Sequence, residues 1–280
     1  MPDRSAYAAE LEVAIDAARI GGREVMARYG STESETKAGG SPVTEADHAS
    51  AAAIRERIRQ TFPDDFILCE ETLDDPRRVQ ASRLWVVDPL DGTREFLAQN
   101  GEFSIMIGLV YAGRPVLGVV YRPDGDALFA GVIGEGAWVE RNGTRTPLHA
   151  TKPLEGLRLV TSRSHSDAAV DAVARELNVT ERRPSGSVGL KCALIAEGVA
   201  DVYVHPVSYI SEWDTCAPEA VLVAAGGVVT DCRGKPLEYN KPDPRQRFGI
   251  LACAPGLLEQ TLAAVARADL PLLRTAKGQG

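Results

Sequence analysis

A chain of 280 residues that is 44% hydrophobic and 25% charged excludes a disordered protein and carries enough apolar material for one large domain or two closely packed ones. Its net charge of -8 excludes the basic footprint on which duplex DNA or RNA binding rests. The longest apolar run, Ala220 to Val229, has ten residues including two glycines and is too short to span a bilayer.

Cysteine usage points the same way. Cys69, Cys192, Cys216, Cys232 and Cys253 are scattered with no C-x-x-C, which suits reduced thiols rather than a disulfide framework or a zinc site. The N-terminus shows no basic segment followed by an apolar run. The expected location is cytoplasmic. The expected partner is a small molecule, with no nucleic-acid polymer and no membrane, and the protein is expected to be a monomer or homodimer.

Residues Ala6 to Tyr29 place Leu11, Ile15, Ala18 and Met26 at helical spacing, with Gly30 as a cap. "ETKAGGSPVT" reads as a loop. "TEADHASAAAIRERIRQTF" reads as a second helix, opened by a capping box of Thr44 and Asp47. "DFILCEE" and "LWVVD" read as short strands that end on acids. From Gly101 to Val139, β-branched and aromatic runs separated by "AGR", "RPDGD" and "GEG" predict an antiparallel meander. A hinge is expected from Pro147 to Gly156. Beyond it, strands alternate with helices as in a layered α/β unit. The fold class is α/β, with an α+β subdomain over 1–150 and an α/β subdomain over 151–280. The final "TAKGQG" is expected to fray.

One grammar recurs along the chain. Glu70 and Glu71 end one strand, Asp88 and Asp91 end the next, and Asp214 precedes an apolar helix. Carboxylates at strand ends and helix starts converge on one edge of a sheet, where open α/β sheets bind ligands. Like charges crowded together repel, and oxygen-only donors suit a hard cation, Mg²⁺ or Mn²⁺. Pro89 stiffens the link between the aspartates and leaves the Leu90 carbonyl as a further donor. Gly92 and Thr93 open a short predicted helix, "TREFLAQN", whose N–H groups suit a phosphate. Plainer readings stand beside these. Asp-Gly is a common turn, Asp47 and Asp214 suit helix caps, and Glu70 and Glu71 suit a solvated surface.

Taken together, these residues resemble one family. "WVVDPLDGTREF" resembles the D-P-[IL]-D-G-T signature of the inositol monophosphatase-like, lithium-sensitive, magnesium-dependent phosphatases. "SEWDTCAPEAVLVAAGG" resembles its W-D-x-A-A signature, with Cys216 where alanine is usual. "PVTEAD", the Glu pair and both signatures follow the family's order across nearly the whole chain. "DGTREF", "NGEFSIMIGLVYAGRPVLGVVY", "SRSH", "GSVGLK" and "YVHPVSYISEWD" are similar to the CysQ-type branch. Those enzymes remove the 3'-phosphate of 3'-phosphoadenosine 5'-phosphate (PAP). Two positions depart from nucleotidases of the superfamily. Val188 stands, beside Ser187, where some have serine, and His205 stands where arginine is common.

The resemblance implies a layered α-β-α-β-α sandwich of the inositol monophosphatase and fructose-1,6-bisphosphatase type, and a set of roles. Glu70, Asp88, Asp91, Asp214 and the Leu90 carbonyl would bind two or three Mg²⁺. Asp47, as base, and Thr93 would activate the attacking water. The Gly92 and Thr93 N–H groups would hold the phosphate. Glu71 would stand behind the ligands or hold a weaker metal. Ser162, Arg163, Ser164, His165, Gly186, Ser187, Lys191 and His205 would meet the nucleotide, with Lys191 supplying charge to its 5'-phosphate. The expected activity is hydrolysis of PAP to AMP. The alternatives are an inositol-1-phosphate or fructose-1,6-bisphosphate phosphatase, which would share the catalytic parts, and a ligand-sensing regulatory protein that retains the site. A metal-free nucleotide-binding module is disfavoured, because "GSVGLK" is too short for G-x-x-x-x-G-K-[ST].

Overall fold

The computed structural model describes residues 6–31, 34–36, 42–153, 155–164 and 168–270. The terminal "TAKGQG" and His165 therefore lie outside the described residues. A seven-stranded sheet takes its strands in chain order: β3 (Phe66–Cys69), β4 (Arg83–Asp91), β5 (Ser104–Tyr111), β6 (Arg114–Arg122), β7 (Ala127–Val132), β8 (Gly136–Arg141) and β9 (Thr144–Leu148). All neighbours are antiparallel except β3 and β4. Period-two alternation sorts its side chains between two cores. Trp85, Val87, Ile105, Ile107 and Val119 join α1 (Ala8–Met26) and α2 (Glu45–Thr61) on one face. Leu84, Val86, Met106 and Val120 turn to the other.

That other face receives α5 (Val188–Ala196) and α6 (Glu212–Ala224), which contact both sheets. The second sheet has the order β11 (Glu181–Ser185), β10 (Arg158–Ser162), β12 (Val202–His205), β14 (Ile250–Cys253), β13 (Val228–Thr230). Helices α4 (Ala168–Glu176) and α7 (Leu258–Arg267) pack on each other, and Val173, Ala174, Ala264 and Val265 join the same core. The layers run helix, sheet, helix, sheet, helix. No helix among the described residues is long and apolar enough to cross a membrane.

A row of glycines places α6. Gly108 pairs with Gly118, and Gly118 with Gly131, so three adjacent strands lack side chains along one line. A Cβ on Gly118 would lie 2.4 Å from the Ala217 carbonyl oxygen, and one on Gly108 would lie 2.4 Å from Cys216 Sγ. The helix that carries Asp214 thus rests directly on sheet backbone.

Some elements differ from the sequence reading. "ETKAGGSPVT", read as a loop, contributes β2 (Pro42–Thr44), which pairs with β1 (Ser34–Thr36). "ERRPS" forms the edge strand β11, whose exposed charged residues hide the alternation that marks a strand. The second sheet is mixed. No helix joins β13 to β14 to make the crossover a parallel return needs, so β14 runs antiparallel to both β12 and β13.

Candidate active site

The two aspartates of "DPLD" are three residues apart, so a regular strand would point them to opposite faces. The pairing of β4 with β5 shifts register between Asp88, opposite Met106, and Asp91, opposite Ser104. This bulge adds one residue on β4 and turns both carboxylates to one side. Pro89 occupies the irregular stretch, where a missing N–H breaks no ladder bond. Its carbonyl accepts from Ser50 Oγ at 2.9 Å. Gly92 follows in the left-handed region (φ 99°), which releases the chain into α3 (Thr93–Leu97) rather than into a hairpin turn. With five residues, α3 contributes little dipole, so any anion seat here depends on the Gly92 and Thr93 N–H groups themselves.

Asp214 arrives from the other side on the first turn of α6. Oxygens of Asp88, Asp91 and Asp214 all lie within 4.8 Å of one another. Asp88 is buried, and its carboxyl is held well above the usual range by burial and then by the charges of Glu70, Asp91 and Asp214. Glu70 reaches this neighbourhood because its N–H bonds the Val87 carbonyl beside β4 (3.2 Å). Glu71, in the same turn, is partly buried. Burial also raises Asp91, against the charge of Lys191 and hydrogen bonds from Ser187 and Gly189. The donor set is all oxygen and electrostatically strained, and it fits a hard divalent cation.

Two carboxylates do double duty as helix caps. Asp214 Oδ2 accepts the Ser211 N–H (2.6 Å), so Ser211 is the N-cap of α6 and Asp214 lies three residues on. Asp47 Oδ2 accepts from both Thr44 N–H (2.8 Å) and Thr44 Oγ1 (2.7 Å), completing the capping box of α2. Its other oxygen, Oδ1, receives Thr93 Oγ1 at 3.2 Å. The Leu90 carbonyl lies 3.4 Å from the same hydroxyl. The cap reading of Asp47 and its pairing with Thr93 are therefore both true.

The expected nucleotide contacts divide into two groups. Ser162, Arg163 and His205 line a cleft of about 360 Å³ at the carboxyl ends of β10 and β12. His205 stacks on Tyr203 and meets Tyr209 edge-on, with centroids 6.1 and 5.8 Å apart. Arg163 is tied to Glu102 through Nε and Nη2 (2.6 Å each), and Ser164 bonds Glu95. Sequence reasoning missed Arg182, Tyr203 and Tyr209 in this cleft. "YVHPVSY" carried the signal for the two tyrosines as an aromatic cluster at a strand end.

Gly186, Ser187 and Lys191 form the second group, around the start of α5. The Gly186 N–H bonds Glu102 (2.7 Å), and Ser187 Oγ bonds Asp91 Oδ2 (2.5 Å). Lys191 was expected to reach a 5'-phosphate, but only 4% of it is exposed. Its ammonium donates to the Ser187 carbonyl (3.1 Å) and lies over the Tyr203 ring. The lysine sits behind Asp91 because α5 turns its first apolar turn, and Lys191 with it, into the layer between the sheets.

Comparison with known proteins agrees with this geometry. The sequence profile of the Inositol monophosphatase family matches residues 7–269. The chain is 40% identical over 237 residues to the 3'(2'),5'-bisphosphate nucleotidase CysQ of Escherichia coli K12, covering 82% of this chain and 93% of that protein. It is 39% identical to the CysQ nucleotidase of Salmonella typhimurium LT2, covering 85% and 96%. The crystal structure of CysQ from Bacteroides thetaiotaomicron superposes with a TM-score of 0.79 at 32% identity, over 90% of this chain and 99% of that one. The five-layer fold, the bulged aspartate pair and these matches place the chain in the inositol monophosphatase family, which is metal-dependent.

Proposed function

We propose that the protein is a Mg²⁺-dependent phosphomonoesterase that removes the 3'-phosphate of PAP to give AMP. One observation carries the reading: Asp88, Asp91 and Asp214 converge beside the Asp47–Thr93 pair. Similarity to CysQ nucleotidases supports the substrate. The aromatic cleft suits a base, which stacks on rings whatever its edge pattern. Five buried free thiols support a reducing, cytoplasmic setting.

Glu70, Asp88, Asp91, Asp214 and the Leu90 carbonyl would hold the divalent cations, with Glu71 behind them or on a weaker one. Bound there, the cation supplies Lewis acidity and offsets the charge of the phosphoryl oxygens. The chain's own groups do the rest. Asp47 Oδ1 orients the Thr93 hydroxyl, and a water donating to Thr93 Oγ1 passes its proton through it to Asp47. The Gly92 and Thr93 N–H groups hold the phosphate. As the water oxygen bonds phosphorus, the ester P–O bond breaks and the 3'-oxygen leaves. No covalent enzyme intermediate forms.

The test is phosphate release from PAP, inositol-1-phosphate and fructose-1,6-bisphosphate in parallel, with Mg²⁺, EDTA and Li⁺ arms. A PAP preference above roughly tenfold in kcat/KM, about 1.4 kcal/mol, is expected. Equal turnover of all three would keep the phosphatase and remove the PAP assignment. Metal binding without any turnover would favour the sensing role.

A further inference from the structure

Glu70 and Asp214 both bear on Asp88, and a polar chain with Arg78 and Glu212 buried in it joins the segments that carry them. After Glu70 the chain runs into a 3-10 turn, Pro76–Gln80. Arg78 in that turn is 1% exposed. Its guanidinium grips Asp74 through Nε (2.6 Å) and Nη2 (2.9 Å) and gives Nη1 to Asn240 Oδ1 (3.0 Å). Asn240 returns its amide to the carbonyls of Arg78 (2.8 Å) and Ala81 (2.9 Å). Its main-chain N–H bonds Glu212 Oε2 (2.7 Å), and that of Lys241 bonds Glu212 Oε1 (3.0 Å). Glu212 is fully buried and opens α6 two residues before Asp214.

The links through Asn240 and Glu212 join segments distant in sequence. Burying an arginine and a glutamate costs several kcal/mol each unless their bonds are made, so the chain holds one geometry or opens. Packing alone would be better served by apolar residues. Asn240 adopts φ 62°, a conformation asparagine tolerates better than most residues, and this aims both its amide and its N–H at their partners.

We propose that Arg78, Asn240 and Glu212 form a clamp that sets the span between Glu70 and Asp214, and through it the affinity of the site for its divalent cation. The inference rests on reading Glu70 and Asp214 as cation ligands. The three residues touch no reacting atom and act only by positioning. Groups that orient metal ligands are typically worth 10–100-fold in metal affinity.

The probe is Mn²⁺, titrated into the purified protein without substrate and followed by electron paramagnetic resonance. Asn240→Gly keeps the backbone conformation and the N–H to Glu212 and removes only the amide tie. Arg78→Met is the second variant. The expected result is roughly 10–100-fold weaker Mn²⁺ binding in each. The metal concentration for half-maximal turnover rises in step, while kcat at saturating metal is little changed and both variants stay folded in EDTA at the temperature of the titration. Wild-type Mn²⁺ affinity in both variants would overturn the clamp and leave the ligand assignment standing. Affinity lost only in step with folding in EDTA would reduce the network to a structural one. No Mn²⁺ binding by the wild-type protein would overturn the ligand reading, and the clamp with it.

Discussion

Thr93 Oγ1 stands 3.2 Å from Asp47 Oδ1, while Thr44 holds the opposite oxygen of the same carboxylate from two sides. The aspartate cannot rotate away from Thr93 without giving up the start of α2. Asp47→Asn would keep an oxygen for Thr44 but present an amide that takes no proton. Loss of general-base catalysis typically costs 10²–10⁴-fold, so kcat at saturating Mg²⁺ should fall in that range. Loss of cap strength should cost only about 1 kcal/mol of stability. Thr93→Ser should stay within a few-fold of wild type, and Thr93→Val should behave like Asp47→Asn. Activity within tenfold of wild type in Asp47→Asn would remove the aspartate from the proton path.

Asp88→Asn should push two measurements in opposite directions. Asp88 is buried against Glu70, Asp91 and Asp214, so neutralising it relieves repulsion. The variant should melt higher than wild type in EDTA. It also loses a ligand charge, so kcat/KM should fall at least about a hundredfold and the stabilisation on adding Mg²⁺ should shrink. Calorimetry with and without metal, beside an activity assay, checks both halves.

Gly118→Ala should damage catalysis from beneath. The added Cβ would meet the Ala217 carbonyl at 2.4 Å, so α6 must move and carry Asp214 with it. Overpacking of this kind costs about 1–3 kcal/mol. Urea denaturation should show that loss, and metal activation should need a higher concentration than in wild type. Gly125→Ala, where an added Cβ meets nothing within 4 Å, is the control for general glycine replacement with strained backbone.

Glu219 gives the stability curve a signature. Burial raises its pKa from 4.5 to about 7, against hydrogen bonds from Tyr239 (2.6 Å) and Arg114 (2.8 Å). Between those values the folded state binds more protons than the unfolded chain, so this group's contribution to stability falls as pH rises from about 4.5 to 7. Glu219→Gln removes that titration. Relative to wild type, the variant should gain about 3 kcal/mol between pH 4 and 8, at 1.36 kcal/mol per unit. A pH-independent difference between the two proteins would remove Glu219 as the titrating group.

The local chemistry of the site was legible because short-range rules write it. The capping box at Thr44 and Asp47, the acids after β3 and at the end of β4, and Asp214 at the head of a helix all lie within a few residues of the feature that explains them. What could not be read depends on partners far away in sequence. The bulge that turns Asp88 and Asp91 to one side is a property of the pairing with β5. The inward turn of Lys191 follows from which face of α5 meets the core, and a lysine in "GSVGLK" gives no hint of burial. Arg78 and Asn240 stand 162 residues apart and resemble ordinary surface residues until the two loops meet. β11 escaped because "ERRPS", with its proline and three charges, carries almost no strand propensity and pairs only at an edge.

The carboxylates of the cluster share a further property. Asp88 has Oδ1 bonded to the Leu90 N–H, Asp91 has Oδ2 bonded to Ser187 and Gly189, and Asp214 has Oδ2 bonded to Ser211. Each carboxylate is thus anchored through one oxygen by a protein N–H or hydroxyl, which fixes the plane it presents. Calcium seeks six to eight oxygens and commonly takes carboxylates in pairs, whereas magnesium accepts single oxygens and completes its octahedron with water. The hydrogen bonds that fix the helices and strands thus also hold the carboxylates at set angles, a rigidity that suits magnesium's strict octahedron better than the loose, variable shell of calcium.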